Sequence, residues 1–413
     1  MPALLAEDYE YPLPKMYRIR QHFPHERIGN IEAILQEELK KKEIMDCVRP
    51  GMRIAIAVGS RGIQNLQTVV RQVVKRLQEL GAEPFIVSAM GSHGGGTEKG
   101  QKEVLEGYGI TEEFLGVPVI TTVDTIKLGN IRDNIPVYFD KSAYEADLIV
   151  PINRIKLHTD FVGKLQSGLC KMLVIGLGNH KGCSTMHEAD PIFFAEYLEE
   201  AANLILQKAR IGFGVALMEN AYDETCFLEA VPAFCMIDRE KELVQKCVGL
   251  MPFIRIKEAD MIVVREIGKN ISGAGYDPNI LGRSCVLKTF QLPVPVFQKM
   301  VLLDITEESH GNAIGLGQFD VVTRQVVEKM NREITYANAI ACKCIEDARI
   351  PVVAENEEEA IRMALKVCRK IDREHLKIIR IQNTLQLGEI EVSEALLLEV
   401  IQNQELELCE ILQ

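Results

Sequence analysis

The chain has 413 residues, 47% of them apolar and 26% charged. That balance describes a packed globular protein rather than a disordered one, and at about 150 residues per domain the length predicts two or three domains. Lysine and arginine total 47 against 59 acidic residues, a net charge of -12, which argues against a broad cationic surface that coats nucleic acid. No apolar run reaches the roughly eighteen residues of a membrane span. The opening MPALLAEDYEYPLPKMY is acidic and lacks a charged-then-apolar signal layout. Eleven cysteines are scattered. Cys342 and Cys344 are too close for a zinc-knuckle pair, and Cys170 and Cys183 have no partners spaced as a cluster. The expected setting is a reducing cytoplasm.

The apolar run over 52–58 predicts a buried strand that ends in Gly59, Ser60, Arg61 and Gly62. Leu66, Val69, Val70, Val73, Val74 and Leu77 recur at steps of three and four, the mark of an amphipathic helix, and Gly81 stops it. A second strand is expected over 85–89, leading into Gly91, Ser92, His93 and three glycines. A third is expected over 148–152, leading into residues 153–158. Residues 191–209 read as a helix and 211–217 as a strand. A second block begins near Phe253, with strands over 259–266 and 300–305 and a glycine-rich stretch from Gly268 to Gly282. Helices are expected near 319–330 and 357–371, and a late strand over 376–381. The tail over 392–401 reads as a helix. The fold class is therefore α/β, in two domains with an active-site cleft between them. The domains are expected at 1–250, completed by 385–413, and at 251–384.

His93 sits among glycines at a strand end, where a histidine near neutral pH takes or gives a proton. Arg61 holds the same position after the first strand and suits a phosphate or carboxylate. GSHGGGTEKG lacks the phosphate-cradle spacing, because Lys99 is followed by Gly100. The densest polar chemistry lies between Pro151 and Pro191. Three of the chain's eight histidines (His158, His180, His187) stand there with Lys156, Lys164, Lys171 and Lys181. Lys171, set among apolar neighbours, would have its pKa lowered by desolvation. The histidines suit nickel, zinc, copper or iron, although HExxH is absent. Gly176 to Gly178 is only a fragment of a dinucleotide fingerprint. In the second block, Lys269 and Arg283 flank a glycine-rich loop suited to closing over an anion. His310 follows another strand in a polar run.

Four features resemble the nickel-dependent lactate racemase superfamily, the nickel-pincer nucleotide enzymes. They are AVGSRG with Arg61, MGSHGG with His93, His158 followed by SGLCK with Lys171, and His187 downstream of that lysine. The resemblance is to a divergent branch rather than a typical lactate racemase. Where typical members carry an acidic residue before the first-loop arginine, this chain has Val58. The span from His158 to Lys171 is longer, and KNISGAGYDPNILGR replaces the glycine–tyrosine–proline substrate loop.

The resemblance implies a cofactor, nickel pyridinium-3,5-bisthiocarboxylic acid mononucleotide. Lys171 would carry it covalently, His187 would ligate its nickel and Arg61 would bind its phosphate or the substrate. His93 and His158 would be the acid/base pair. Lys269, Arg283 and His310 would contact the substrate. The implied reaction is racemisation or epimerisation of a 2-hydroxy acid or sugar acid by reversible hydride transfer. The alternative is a non-catalytic cofactor- or metabolite-binding protein of the same fold. The expected partners are an anionic small-molecule substrate and the cofactor-biosynthesis enzymes that load the site. Neither nucleic acid nor membrane is expected, and the apolar content permits a homo-oligomer.

Overall fold

A computed structural model describes residues 3–60 and 62–412. The chain is mixed α/β and forms two compact units. One is His25–Leu250; the other joins Met1–Pro24 to Met251–Gln413.

In the unit His25–Leu250, strands run over Arg53–Val58 (β2), Glu83–Ser88 (β3), Val119–Ile120 (β4), Thr125–Asn130 (β5), Pro136–Asp140 (β6), Leu148–Arg154 (β7), Phe213–Glu219 (β8) and Thr225–Pro232 (β9). Six of them form one sheet in the order β4-β3-β2-β7-β8-β9, while β5 and β6 pair as a separate ribbon. Every pairing in the six-stranded sheet is parallel except β8 with β9. A parallel sheet is covered on both faces, so its central strands read as continuous apolar runs. From Ile54 to Val58 every residue of β2 is buried. The helix Leu66–Glu79 lays Leu66, Val69, Val70, Val73, Val74 and Leu77 into the core with Ile54, Ile56, Val150 and Val215. These are the positions that the three-four spacing predicts.

The other unit holds β1 (Met16–Gln21), β10 (Met261–Ile267), β11 (Lys299–Ile305), β12 (Val321–Thr323), β13 (Val352–Ala354), β14 (Ile378–Ile381), β15 (Glu389–Ser393) and β16 (Leu406–Leu412). They form one sheet, β13-β12-β11-β10-β14-β15-β1-β16. It is parallel from β13 to β14 and antiparallel from there to β16. The helix Glu357–Val367 covers it with Ala360, Ile361, Ala364 and Leu365.

Two expectations are corrected here. Residues 385–413 do not complete the first domain. β15 and β16 pair with β1, so the tail and the amino-terminal strand both belong to the sheet of the second block. The helix expected from 319 starts only at Arg324, because Val321–Thr323 pairs with β11 as a strand. No helix among the described residues is long and apolar enough to cross a membrane.

Candidate functional site

β2, β3 and β7 are adjacent and parallel. Their carboxyl ends therefore share one edge, the edge where open α/β sheets build sites. Arg61, expected after β2, lies outside the described residues. Its neighbour Ser60 hydrogen-bonds through Oγ to His93 Nδ1, and the Tyr108 hydroxyl donates to the Ser60 carbonyl at 2.8 Å. His93 is exposed, on the turn that follows β3. That turn crosses the start of the helix Glu98–Gly107 closely. A Cβ on Gly94 (φ +64°) would stand 2.5 Å from the Gly100 carbonyl carbon, so only glycine fits. Thr97 caps the helix by accepting from Gly100 N at 3.1 Å. Gln101, fully buried, accepts from Ser88 Oγ at 2.6 Å and donates to Gly91 O at 3.1 Å. It ties the end of β3 to the loop that carries His93.

After β7 the chain doubles back. Lys156 and Ser167 pair through two backbone bonds of 3.0 and 3.1 Å. His158 lies on the loop they close. Its backbone N–H donates to the buried Gln166 Oε1 at 2.7 Å. Its ring stacks on Phe161, with centroids 4.2 Å apart. Asp160 N–H donates to His158 Nδ1 at 3.0 Å. A neutral imidazole that accepts at Nδ1 carries its proton on Nε2. His158 Nε2 meets Lys171 Nζ.

Lys171 ends a single helical turn, Leu169–Lys171, that runs into a π turn over Met172–Gly176 and then the helix Asn179–Met186. π turns are rare and concentrate at functional sites. Glu240, fully buried on the helix Met236–Val248, accepts from Cys170 N at 2.9 Å through Oε2. It thereby satisfies an open donor of the turn that holds Lys171. Asn153 Nδ2 donates to the Gly168 carbonyl at 2.7 Å. A Cβ on Gly168 would come within 2.5 Å of the Glu240 carboxylate. Asp140 accepts from Asn179 Nδ2 at 2.8 Å at the start of the last helix. Burial pushes the Asp140 carboxyl up to about 6.

His187 follows the carboxyl end of that helix. Its Nδ1 meets the Cys183 carbonyl at 2.7 Å. Since a carbonyl only accepts, Nδ1 bears a proton, so that in the neutral ring Nε2 is the nitrogen left to ligate a metal. Hydrogen bonding to Cys183, outweighing partial desolvation, holds His187 above the ordinary imidazole range. Cys183 Sγ stands 3.7 Å from both His187 Nδ1 and Ser92 Oγ. Phe194 packs against His187 at 5.6 Å and against Phe161 at 4.7 Å. His158, Lys171 and His187 thus lie on one chain of contacts, and Ser92 brings the His93 loop beside it. Lys156 lies at the base of that loop. Lys164, His180 and Lys181 are exposed.

In the other unit, Lys269 and His310 follow the carboxyl ends of the neighbouring strands β10 and β11. Lys269 N–H donates to Ser309 Oγ at 2.8 Å, and its Nζ to the Gly273 carbonyl at 2.5 Å. His310 is exposed, in the left-handed region at φ +47°. Arg283 does not join them. Its guanidinium donates to Asp320 Oδ2 at 2.7 Å and to the carbonyls of Gln318 and Gln298 at 3.0 and 3.1 Å. Asp320 sits at the amino end of β11, bonded to Met300 N at 2.8 Å. Arg283 is therefore a clamp at the opposite strand ends, which corrects its expected place beside Lys269.

Sequence reasoning missed Glu240 and Gln101. The first had a signal: Met236, Glu240, Leu243, Val244 and Cys247 form one buried helical stripe, with a carboxylate in it. For Gln101 the signal was weaker, only its place one turn before the buried Leu105.

Residues 14–195 match the family model of the lactate racemase N-terminal domain. Among solved structures, the chain is similar to the lactate racemase apoprotein from Thermoanaerobacterium thermosaccharolyticum, at 12% identity and a TM-score of 0.53, over 90% of this chain and 99% of that one. A protein from Thermotoga maritima is similar at 12% identity and a TM-score of 0.51, over 86% of this chain and 94% of that one. No curated protein sequence matches the chain. At such identity the structural likeness speaks for the fold alone. The similarity to the lactate racemase N-terminal domain is confined to residues 14–195, which span the His93, His158, Lys171 and His187 segments.

Proposed function

We propose that the protein is a racemase or epimerase of a 2-hydroxy acid or sugar acid that works with a nickel-pincer nucleotide. The observation that carries this reading is the convergence of His158, Lys171 and His187 through direct and aromatic contacts at the carboxyl end of β7. Their donor set fits such a group. His187 offers Nε2 to a metal, because Nδ1 is committed to a carbonyl. Lys171 meets His158 Nε2, which places an amine that can acquire a covalent link beside the histidine.

When bound, held by Lys171 and His187, the nucleotide would supply a hydride acceptor for C2 of the substrate. The chain's own residues handle the proton. One histidine of the pair His93 and His158 removes it from the substrate hydroxyl. The other returns one to the oxygen from the opposite side, so that either enantiomer finds a base. Lys171 would hold the nucleotide covalently beside His158. Ser60 orients His93 through Nδ1.

The test is intact-protein mass after co-expression with the pincer-cofactor biosynthetic enzymes and nickel, beside a Lys171→Ala control. The expected result is a mass gain equal to the nucleotide in the wild type alone. It would be followed by interconversion of enantiomers in a hydroxy-acid panel that is lost in His93→Ala and His158→Ala. No gain, with a typical lactate racemase loaded in parallel, would sink the reading. A gain without turnover of any hydroxy acid would favour a non-catalytic binder.

A further inference from the structure

Away from the strand-end site, a group of thiols gathers in the unit that contains residues 251–413. Cys285 follows the glycine-rich segment, just beyond the clamp residue Arg283. Cys342 ends the helix Arg332–Ala341, and Cys344 and Asp347 follow on the next turn. One ligand atom from each of Cys285, Cys344 and Asp347 lies within 4.8 Å of the others. The Cys344 thiol donates to the Cys342 carbonyl at 3.2 Å, which brings Cys342 beside the group. We propose that Cys285, Cys342, Cys344 and Asp347 form a closed metal site for zinc or a similarly thiophilic divalent ion, fastening the end of the glycine-rich segment to the turn at 342–347.

The geometry is close to what such an ion needs. Tetrahedral zinc with Zn–S bonds of about 2.3 Å sets its sulfurs roughly 3.8 Å apart, a spacing within the 4.8 Å that encloses the ligand atoms of Cys285, Cys344 and Asp347; Cys342, whose thiol now donates to the Ala339 carbonyl, would turn in as the fourth ligand. The backbone assists. Lys343 stands in the left-handed region at φ +57°, which breaks the extended path that would hold Cys342 and Cys344 about 7 Å apart. Asp347 is buried and prepared as a ligand would be. Its Oδ1 accepts from Gln318 Nε2 at 2.7 Å, the kind of outer hydrogen bond that orients metal-binding carboxylates. Its backbone carbonyl accepts from Gly315 N at 2.9 Å.

Three sulfurs and one oxygen select a soft or borderline ion over calcium or magnesium. A disulfide would engage only two of the three thiols. The set is distinct from the His187 and Lys171 site, which contributes none of these ligands. Cys342 and Cys344, too close to form a knuckle by themselves, acquire the distant Cys285 through the fold.

The experiment uses the full chain, expressed with zinc and without nickel or the cofactor-biosynthesis enzymes, and purified in reducing buffer. Metal content by mass spectrometry should give one zinc per chain. Replacement by cobalt should give intense sulfur-to-cobalt charge-transfer absorption. Cys344→Ser and Asp347→Asn should lose the ion, whereas His187→Ala should keep it. The cobalt spectrum of the wild type needs no variant, so a misfolded Cys344→Ser does not spare the idea. No bound metal and no charge-transfer band would overturn it. So would zinc retained in Cys344→Ser, zinc lost in His187→Ala, or a metal-free chain whose non-reduced mass reveals a disulfide among the three cysteines.

Discussion

Glu240 lies in the buried stripe of its helix, and its Oε1 has no hydrogen-bond partner among the described residues. Burial pushes its carboxyl from an ordinary 4.5 up to about 7, against the hydrogen bonds it receives from the backbone of Cys170 and Leu169. A carboxyl raised in the folded state binds more protons there than when unfolded. Its contribution to stability is therefore complete below pH 4.5 and is lost as the pH rises through 7, by about 3 kcal/mol in all. Glu240→Gln should remove that slope. Denaturant unfolding at pH 5 and pH 8 checks it: relative to the wild type, the variant should gain most of that amount between the two pH values. A gap that does not change with pH would mean that the carboxyl is not strained by burial. The chain keeps this awkward group where it satisfies the start of the turn that bears Lys171, with Gly168 as the clearance that makes room for it.

The elements that carry the site differ in how openly the sequence declares them. β2, β3 and β7 are continuous apolar runs, and the helix Leu66–Glu79 repeats at three and four, so each is plain from hydropathy. β1, β15 and β16 alternate charged and apolar residues at an antiparallel edge, and nothing local separates them from surface turns. In the site, histidine density marked His158 and His187. Glu240 and Cys285 meet partners distant in sequence, and spacing carries no trace of such meetings. Gln101 is of this kind. It links the end of β3 to the glycine turn through two buried bonds. Gln101→Leu leaves Ser88 Oγ and the Gly91 carbonyl without those partners, at a cost of about 2 kcal/mol. Hydrogen exchange should quicken over residues 91–100, around His93, while β2 and β7 keep their protection. Native exchange in that turn would show that the glycines alone hold it.

At the scale of the whole molecule, the chain is interleaved. Its first strand, β1, lies between β15 and β16, so the sheet of residues 251–413 closes only with a segment made at the start. Gln21 secures the junction, donating through Nε2 to Leu387 O at 2.7 Å and accepting at Oε1 from Arg255 N at 2.8 Å. The ion pairs between β1 and β16, Arg18 with Glu410 and Arg20 with Glu407, are about half exposed and contribute little. The backbone ladder and the burial of Leu406 contribute more. Deleting residues 404–413 therefore exposes one side of β1 and removes Leu406 from the core, a loss of about 2–4 kcal/mol. Hydrogen exchange read by mass spectrometry should rise at β1, β14 and β15 and stay unchanged at β2, β3 and β7. The opposite pattern would assign the tail to the unit of the histidines. The expected pattern has a practical consequence. A fragment cut at residue 250 carries β1 without its neighbours, whereas one that spans 25–250 keeps the full six-stranded sheet and the contacts of His93, His158, Lys171 and His187 described above.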